Sequence, residues 1–178
     1  FNVGYSLGLM QQPEVRSRQE ARLRAWSGNK EVRCSVSTRH GAYGPSDWTY
    51  GPVQYPHLVQ EFYRANRGYI IGSDVATYSL PCWTTAAPTF YVWMRVLWNP
   101  ELDVDATLDE MCRRLFGPAA ASARELLRLQ CERWEGTSLS RPLHVGENRI
   151  PPKLFREIWP PDVVARMKAL RDKALAEV

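Results

Sequence analysis

The stretch HLVQEFYRANRGYIIGSD, residues 57–74, decides how the fold reads from sequence. Leu58, Val59, Phe62 and Tyr63 recur at helical spacing, Gly68 makes a C-terminal cap, and Tyr69 to Ser73 then reads as a short buried strand. Toward the N-terminus, Glu31 to Ser37 alternates apolar and polar residues at period two, so a strand is expected there as well. A helix over 14–26, entered after Pro13 and ended by Ser27-Gly28-Asn29, precedes it.

Helix, strand, helix, strand, with polar segments at 38–56 and 74–88 after each strand, is the pattern of an α/β protein with a parallel sheet. A complete eight-stranded barrel takes about 250 residues. The 178 residues here, with two or three strands, are therefore expected to form the C-terminal portion of a TIM-type (β/α)8 barrel over 1–98, followed by a helical region over 99–178. In that second region FYVWMRVLW (90–98) reads as a buried helix stopped by Asn99-Pro100. Asp103 and Asp105 suit the start of the next helix, whose apolar stripe is Leu108, Met111, Cys112 and Leu115. Gly117-Pro118 ends one helix and starts another that runs to Trp134; 136–152 reads as a loop, and a last helix spans 161–177 with Val163, Met167, Leu170 and Ala174 on one side.

With 44% hydrophobic and 24% charged residues the chain is neither disordered nor fibrous. Its net charge of +4 comes from residues 1–40, where Arg16, Arg18, Arg22 and Arg24 are interrupted by Glu14 and Glu20. That mixture does not make a basic face, so no nucleic acid is expected as partner. The longest apolar run is too short to cross a bilayer, so no membrane span is expected either. The opening FNVGYSLGLM has neither the charged start nor the cleavage site of a signal peptide and reads as an interior point of a longer chain. Cys34, Cys82, Cys112 and Cys131 fall far apart, without CxxC or Cys/His tandems, so no metal site and no cofactor is expected. A disulfide between Cys112 and Cys131 requires the helices that carry them to pack antiparallel.

The run VWMRVLWNPELDVDATLDEMCRRLFGPAA, residues 92–120, resembles a recurrent stretch of a bacterial family known as domain of unknown function 4838. ARLRAW (21–26), HGAYG (40–44) and residues 57–74 occur in the order that family would have, so the resemblance covers about residues 15–135. It implies kinship with α-glucuronidases and β-hexosaminidases, a barrel followed by helices, and a ligand that is an oligo- or polysaccharide containing uronic acid or N-acetylhexosamine. It also implies an exported, polysaccharide-degrading protein. Where the family often carries a Glu at the end of its last barrel strand, this chain has Gly72-Ser73-Asp74.

Asp74 follows the second strand, where a barrel rim would face it to ligand, and is the one candidate for catalysis as well as a candidate for holding a sugar hydroxyl. Glycoside hydrolysis needs two flanking carboxyl groups. Asp47 is the next choice, because Glu101, Asp103, Asp105, Asp109 and Glu110 are accounted for as acids at helix starts. The principal carboxylates are therefore expected upstream and the isolated chain is expected to be inactive. His40, Tyr43, Trp48, Tyr50, Tyr78 and Trp83 give the two post-strand segments an aromatic density that suits stacking on pyranose rings, with Trp83 and Tyr43 foremost, and Arg39 is placed to pair with a uronate. The alternative is a carbohydrate-binding or scaffolding protein without hydrolysis, and a third reading uses the Arg16–Arg24 helix on nucleic acid.

Overall fold

The computed structural model describes residues 2–5, 13–28, 34–40, 54–77, 80–136 and 156–178. Its elements are β1 (Asn2–Tyr5), α1 (Pro13–Ser27), β2 (Cys34–His40), α2 (Pro56–Ala65), β3 (Ile70–Thr77), α3 (Leu80–Trp98), α4 (Val104–Phe116), a 3-10 turn (Gly117–Ala119), α5 (Ala120–Glu135) and α6 (Pro161–Ala176).

Pro56, whose missing N–H costs nothing at a first helical position, opens α2, and Leu58, Val59, Phe62 and Tyr63 bury one face of it. The helix stops at Ala65, short of Gly68, because buried Asn66 turns back on it: its amide and its side-chain Nδ2 both donate to the Phe62 carbonyl, at 3.1 and 2.9 Å. The strand that follows is longer than expected and carries Gly72, Ser73 and Asp74 inside it.

The largest local departure is α3. Pro88 reads as a break, yet the helix runs through it from Leu80. A proline in a helix interior removes one ladder bond and pushes the preceding carbonyl away. Here Gln54, fully buried just before α2, partners the next amide along: its Oε1 accepts from the Thr89 amide at 3.3 Å and from the Thr89 hydroxyl at 2.8 Å. The Tyr55 amide then donates to the same hydroxyl at 3.1 Å. The C-terminal part of α3 is not buried all round either. Phe90, Val92, Trp93 and Val96 face the core, while Met94, Leu97 and Trp98 are exposed, Trp98 to 92%.

Asp103 caps α4 by accepting from the Ala106 amide at 2.9 Å, as its position predicts. Leu108, Met111 and Cys112 are buried as expected, but Leu115 points to water. Gly117, at φ +51°, makes the left-handed turn into the 3-10 segment, a conformation that favours a residue without Cβ. Of the expected stripe on α6, Leu170 is buried and Val163 and Met167 lean half-buried on the core. Cys112 and Cys131 are both buried and free, so no disulfide joins α4 to α5.

The strands pair in parallel in the order β1-β2-β3. Val3, Val36 and Ser73 lie in one row, and His40 pairs with Thr77 at the carboxyl end. The expected fold class is nevertheless corrected. Among the described residues the chain is mainly helical, with six α-helices of ten to nineteen residues against three strands of four to eight. Among the described residues there is no barrel, so neither an α/β class nor the C-terminal portion of a TIM-type barrel describes it. The physical reason is where the apolar surface goes. The core gathers Leu58, Val59 and Phe62 of α2, Phe90, Trp93 and Val96 of α3, Val104, Leu108 and Met111 of α4, and Leu127 and Trp134 of α5, with Ile158 and Trp159 ahead of α6. Helix packs on helix; from β3, among the described residues, Ile70 leans on this core, and Ile71, next in the strand, is 64% exposed. That core takes residues from both sides of Trp98.

Candidate functional site

Because β2 and β3 run parallel and end level, at His40 and Thr77, the chain leaves both strands at the same end of the sheet. His40 is the last residue of β2, and Asp74 lies within β3 opposite Ser37, three residues before the strand's end rather than after it. Trp83 stands in the first turn of α3, not in a loop. Tyr43, Trp48 and Tyr78 lie outside the described residues, as do Asp47 and Tyr50. Of the expected site residues the structure thus places His40 at a strand end, Asp74 within a strand and Trp83 in a helix.

A second polar constellation was not singled out from sequence. It gathers at the first turn of α2, where the opening amides of any helix lack partners within the helix. The Glu135 carboxylate, at the last residue of α5, supplies them: Oε1 accepts from the His57 amide at 2.9 Å and the Leu58 amide at 3.3 Å. Its Oε2 lies 2.7 Å from His57 Nδ1. On the other side of the ring, His57 Nε2 lies 3.4 Å from Oδ1 of Asp105 on α4. Asp105 also accepts from Arg124 Nη2 at 2.6 Å, and Arg124 Nε donates to Asp109 at 2.6 Å. The turn before α4 is fixed on α2 by Gln60 Nε2, which donates to the carbonyls of Pro100 and Leu102, and by an Arg64–Glu101 ion pair at 2.8 Å. These contacts set Asp105 in front of the ring.

Each ring nitrogen of His57 faces a carboxylate oxygen, an arrangement that only the imidazolium satisfies with a donor on both sides. The hydrogen bond to Glu135 raises the His57 pKa above its ordinary value; burial opposes this, and the charges of Glu135 and Asp105 reinforce it. For Asp105, burial pushes upward, but the Arg124 hydrogen bond and the nearby His57 outweigh it and hold the carboxyl below its usual range. Cys131, one turn before Glu135, is pushed strongly upward by burial and by the Glu135 charge, and Cys112 upward by burial, so both thiols stay protonated and unreactive. Among the described residues the cluster has the parts of a proton-holding clamp without an activated nucleophile, and no group of side chains there could hold a metal ion. No described helix is long and apolar enough to cross a membrane.

His57, Asp105 and Glu135 escaped notice because each has an ordinary local explanation, and His57 and Glu135 are 78 positions apart. The one sequence signal for them is an acid in the last turn of α5, where the helix dipole disfavours it unless something else holds it. Compared with family models, with curated proteins and with solved structures, the chain matches none.

Proposed function

We propose that the chain contributes a carbohydrate-binding edge at the carboxyl ends of its parallel strands, in a glycoside hydrolase-like protein whose principal catalytic carboxylates come from elsewhere. One observation carries the reading: the His40–Thr77 register sends the two aromatic-bearing segments off the same end of the sheet. Ligands of parallel sheets sit at that end, because the connections there are free to carry side chains that the core does not need. Tyr43, Trp48 and Tyr78 supply ring faces for a pyranose, with His40 as polar partner. The resemblance of residues 92–120 to a family related to α-glucuronidases and β-hexosaminidases points to the same ligand class.

Asp74 stands opposite Ser37 within β3, three residues before the strand's end, and is kept as a candidate for holding a sugar hydroxyl. Calorimetric titration with uronic-acid-containing and N-acetylhexosamine-containing oligosaccharides tests the proposal. Binding that weakens severalfold in Tyr43→Ala and Trp48→Ala, with unchanged melting temperature, is expected. No binding of either sugar class, or binding indifferent to both substitutions, would sink it. Release of reducing sugar by the chain alone, abolished in Asp74→Asn, would instead make Asp74 catalytic.

A further inference from the structure

We infer that His57 is a proton-operated latch that holds the start of α4 against the start of α2, and that it opens selectively on the α4 side. The two carboxylates that meet the ring are not held alike. Glu135 is fixed by three contacts, two of them backbone amides of α2 that keep their protons at any physiological pH. Among the described residues Asp105 meets α2 through the ring, across the longer 3.4 Å contact, and its other partner is Arg124 of α5.

A neutral imidazole keeps one N–H. The shorter 2.7 Å contact to Glu135 retains it on Nδ1, and Nε2 then presents a lone pair to the Asp105 carboxylate. Attraction becomes repulsion on that side alone. The groups facing the ring among the described residues are Glu135 from α5 and Asp105 from α4. Behind Asp105 stand Arg124 and Asp109, and behind Glu135 stands the protonated Cys131. With the ring charged, the three carboxylates face two cations; with the ring neutral they face Arg124 alone. Loss of one proton leaves the cluster with a second uncompensated negative charge, at the junction of three helices.

Nitrogen-15 NMR of the His57 ring, read together with amide hydrogen exchange on the whole protein, tests this. His57 is expected to titrate above the ordinary histidine value and to deprotonate to the tautomer with hydrogen on Nδ1. Exchange in the first turn of α4, corrected for the intrinsic pH dependence, is expected to speed up severalfold through that titration, while the Leu58 amide does not follow. In His57→Gln that step in exchange is expected to vanish, and in Asp105→Asn the His57 titration is expected to move to lower pH. A hydrogen on Nε2 in the neutral form, a Leu58 amide that opens together with α4, or a pH step that survives in His57→Gln would each overturn the latch.

Discussion

Gln54 and Thr89 hold each other by two hydrogen bonds in which one side-chain oxygen accepts from both an amide and a hydroxyl, at the point where Pro88 interrupts α3. A residue outside any helix thereby partners the amide that follows the proline. Both partners are buried, Gln54 to 1% exposure and Thr89 to 0%.

Replacing Gln54 by Ala leaves the amide and hydroxyl of Thr89 without that acceptor in a site closed to water. Each buried polar group so stranded costs about 1–3 kcal/mol. A loss of that order in urea unfolding is expected for Gln54→Ala. Gln54→Leu is expected to do no better although it restores the volume, because the deficit is one of hydrogen bonding. A Gln54→Leu protein as stable as the parent would show that α3 closes across Pro88 without help.

Trp93 is fully buried and its indole Nε1 donates to the Tyr63 hydroxyl at 3.1 Å. Truncation to Ala is expected to cost about 3–5 kcal/mol, the range for large aromatic residues in a core. Tyr63→Phe is expected to cost about 1–3 kcal/mol for the stranded indole N–H. Chemical unfolding followed by circular dichroism measures both, and the Ala variant must show the larger effect.

The His57 cluster makes stability depend on pH in two opposite ways. A histidine whose folded pKa is raised contributes stability that is complete below its unfolded value and lost as pH rises through the folded one. Asp105, with its folded pKa lowered, contributes stability above its unfolded value that is lost as pH falls through the folded one. Glu135→Ala removes the α2 cap, worth about 0.5–2 kcal/mol. It also removes the first cause of the His57 shift. Its cost is therefore expected to be greater near pH 6 than near pH 9, as melting temperatures of the two proteins across pH would record. An equal cost at both ends would mean that Glu135 acts on the amides alone.

Gly117 adopts φ +51° and ψ −117° where α4 gives way to the 3-10 turn, with open space where a Cβ would stand. Gly117→Ala is thus a test of backbone strain without a clash. The expected cost is about 1–3 kcal/mol. Ala119→Gly, in the same turn but at a negative φ of −80° that any residue adopts, is expected to cost about 1 kcal/mol. The ratio of the two in thermal unfolding checks the assignment.

Much of the helical part was legible in the sequence because its signals are local. The Asp103 cap, the buried spacing of Leu108, Met111 and Cys112, and the Gly117 turn are each complete within a few residues. The start of α3 was read as loop up to Pro88, because Gln54, the partner that Thr89 finds just after the proline, lies 35 positions from Thr89. Asp74 has little preference for strands, so the expected strand ended at Ser73, whereas β3 carries on through Asp74 to Thr77. The barrel was inferred from a strand-helix rhythm that a three-stranded sheet shares with an eight-stranded one; closure belongs to the whole sheet and leaves no mark on any single unit. Of the site, Asp74 and the aromatic segments were read from position. The His57 cluster was not, because it exists only once α2, α4 and α5 have met.

The cap of α2 also has an order in time. Ribosomal synthesis delivers the His57 and Leu58 amides long before the carboxylate that satisfies them, 78 and 77 residues later in the chain. A nascent chain holding α2, β3 and α3 therefore carries a helix with an unfinished beginning, free to fray into water. Only the emergence of Glu135 closes it. The last residue of α5 thus acts as a signal of completion, and truncations that stop short of it are expected to leave α2 the first helix to melt.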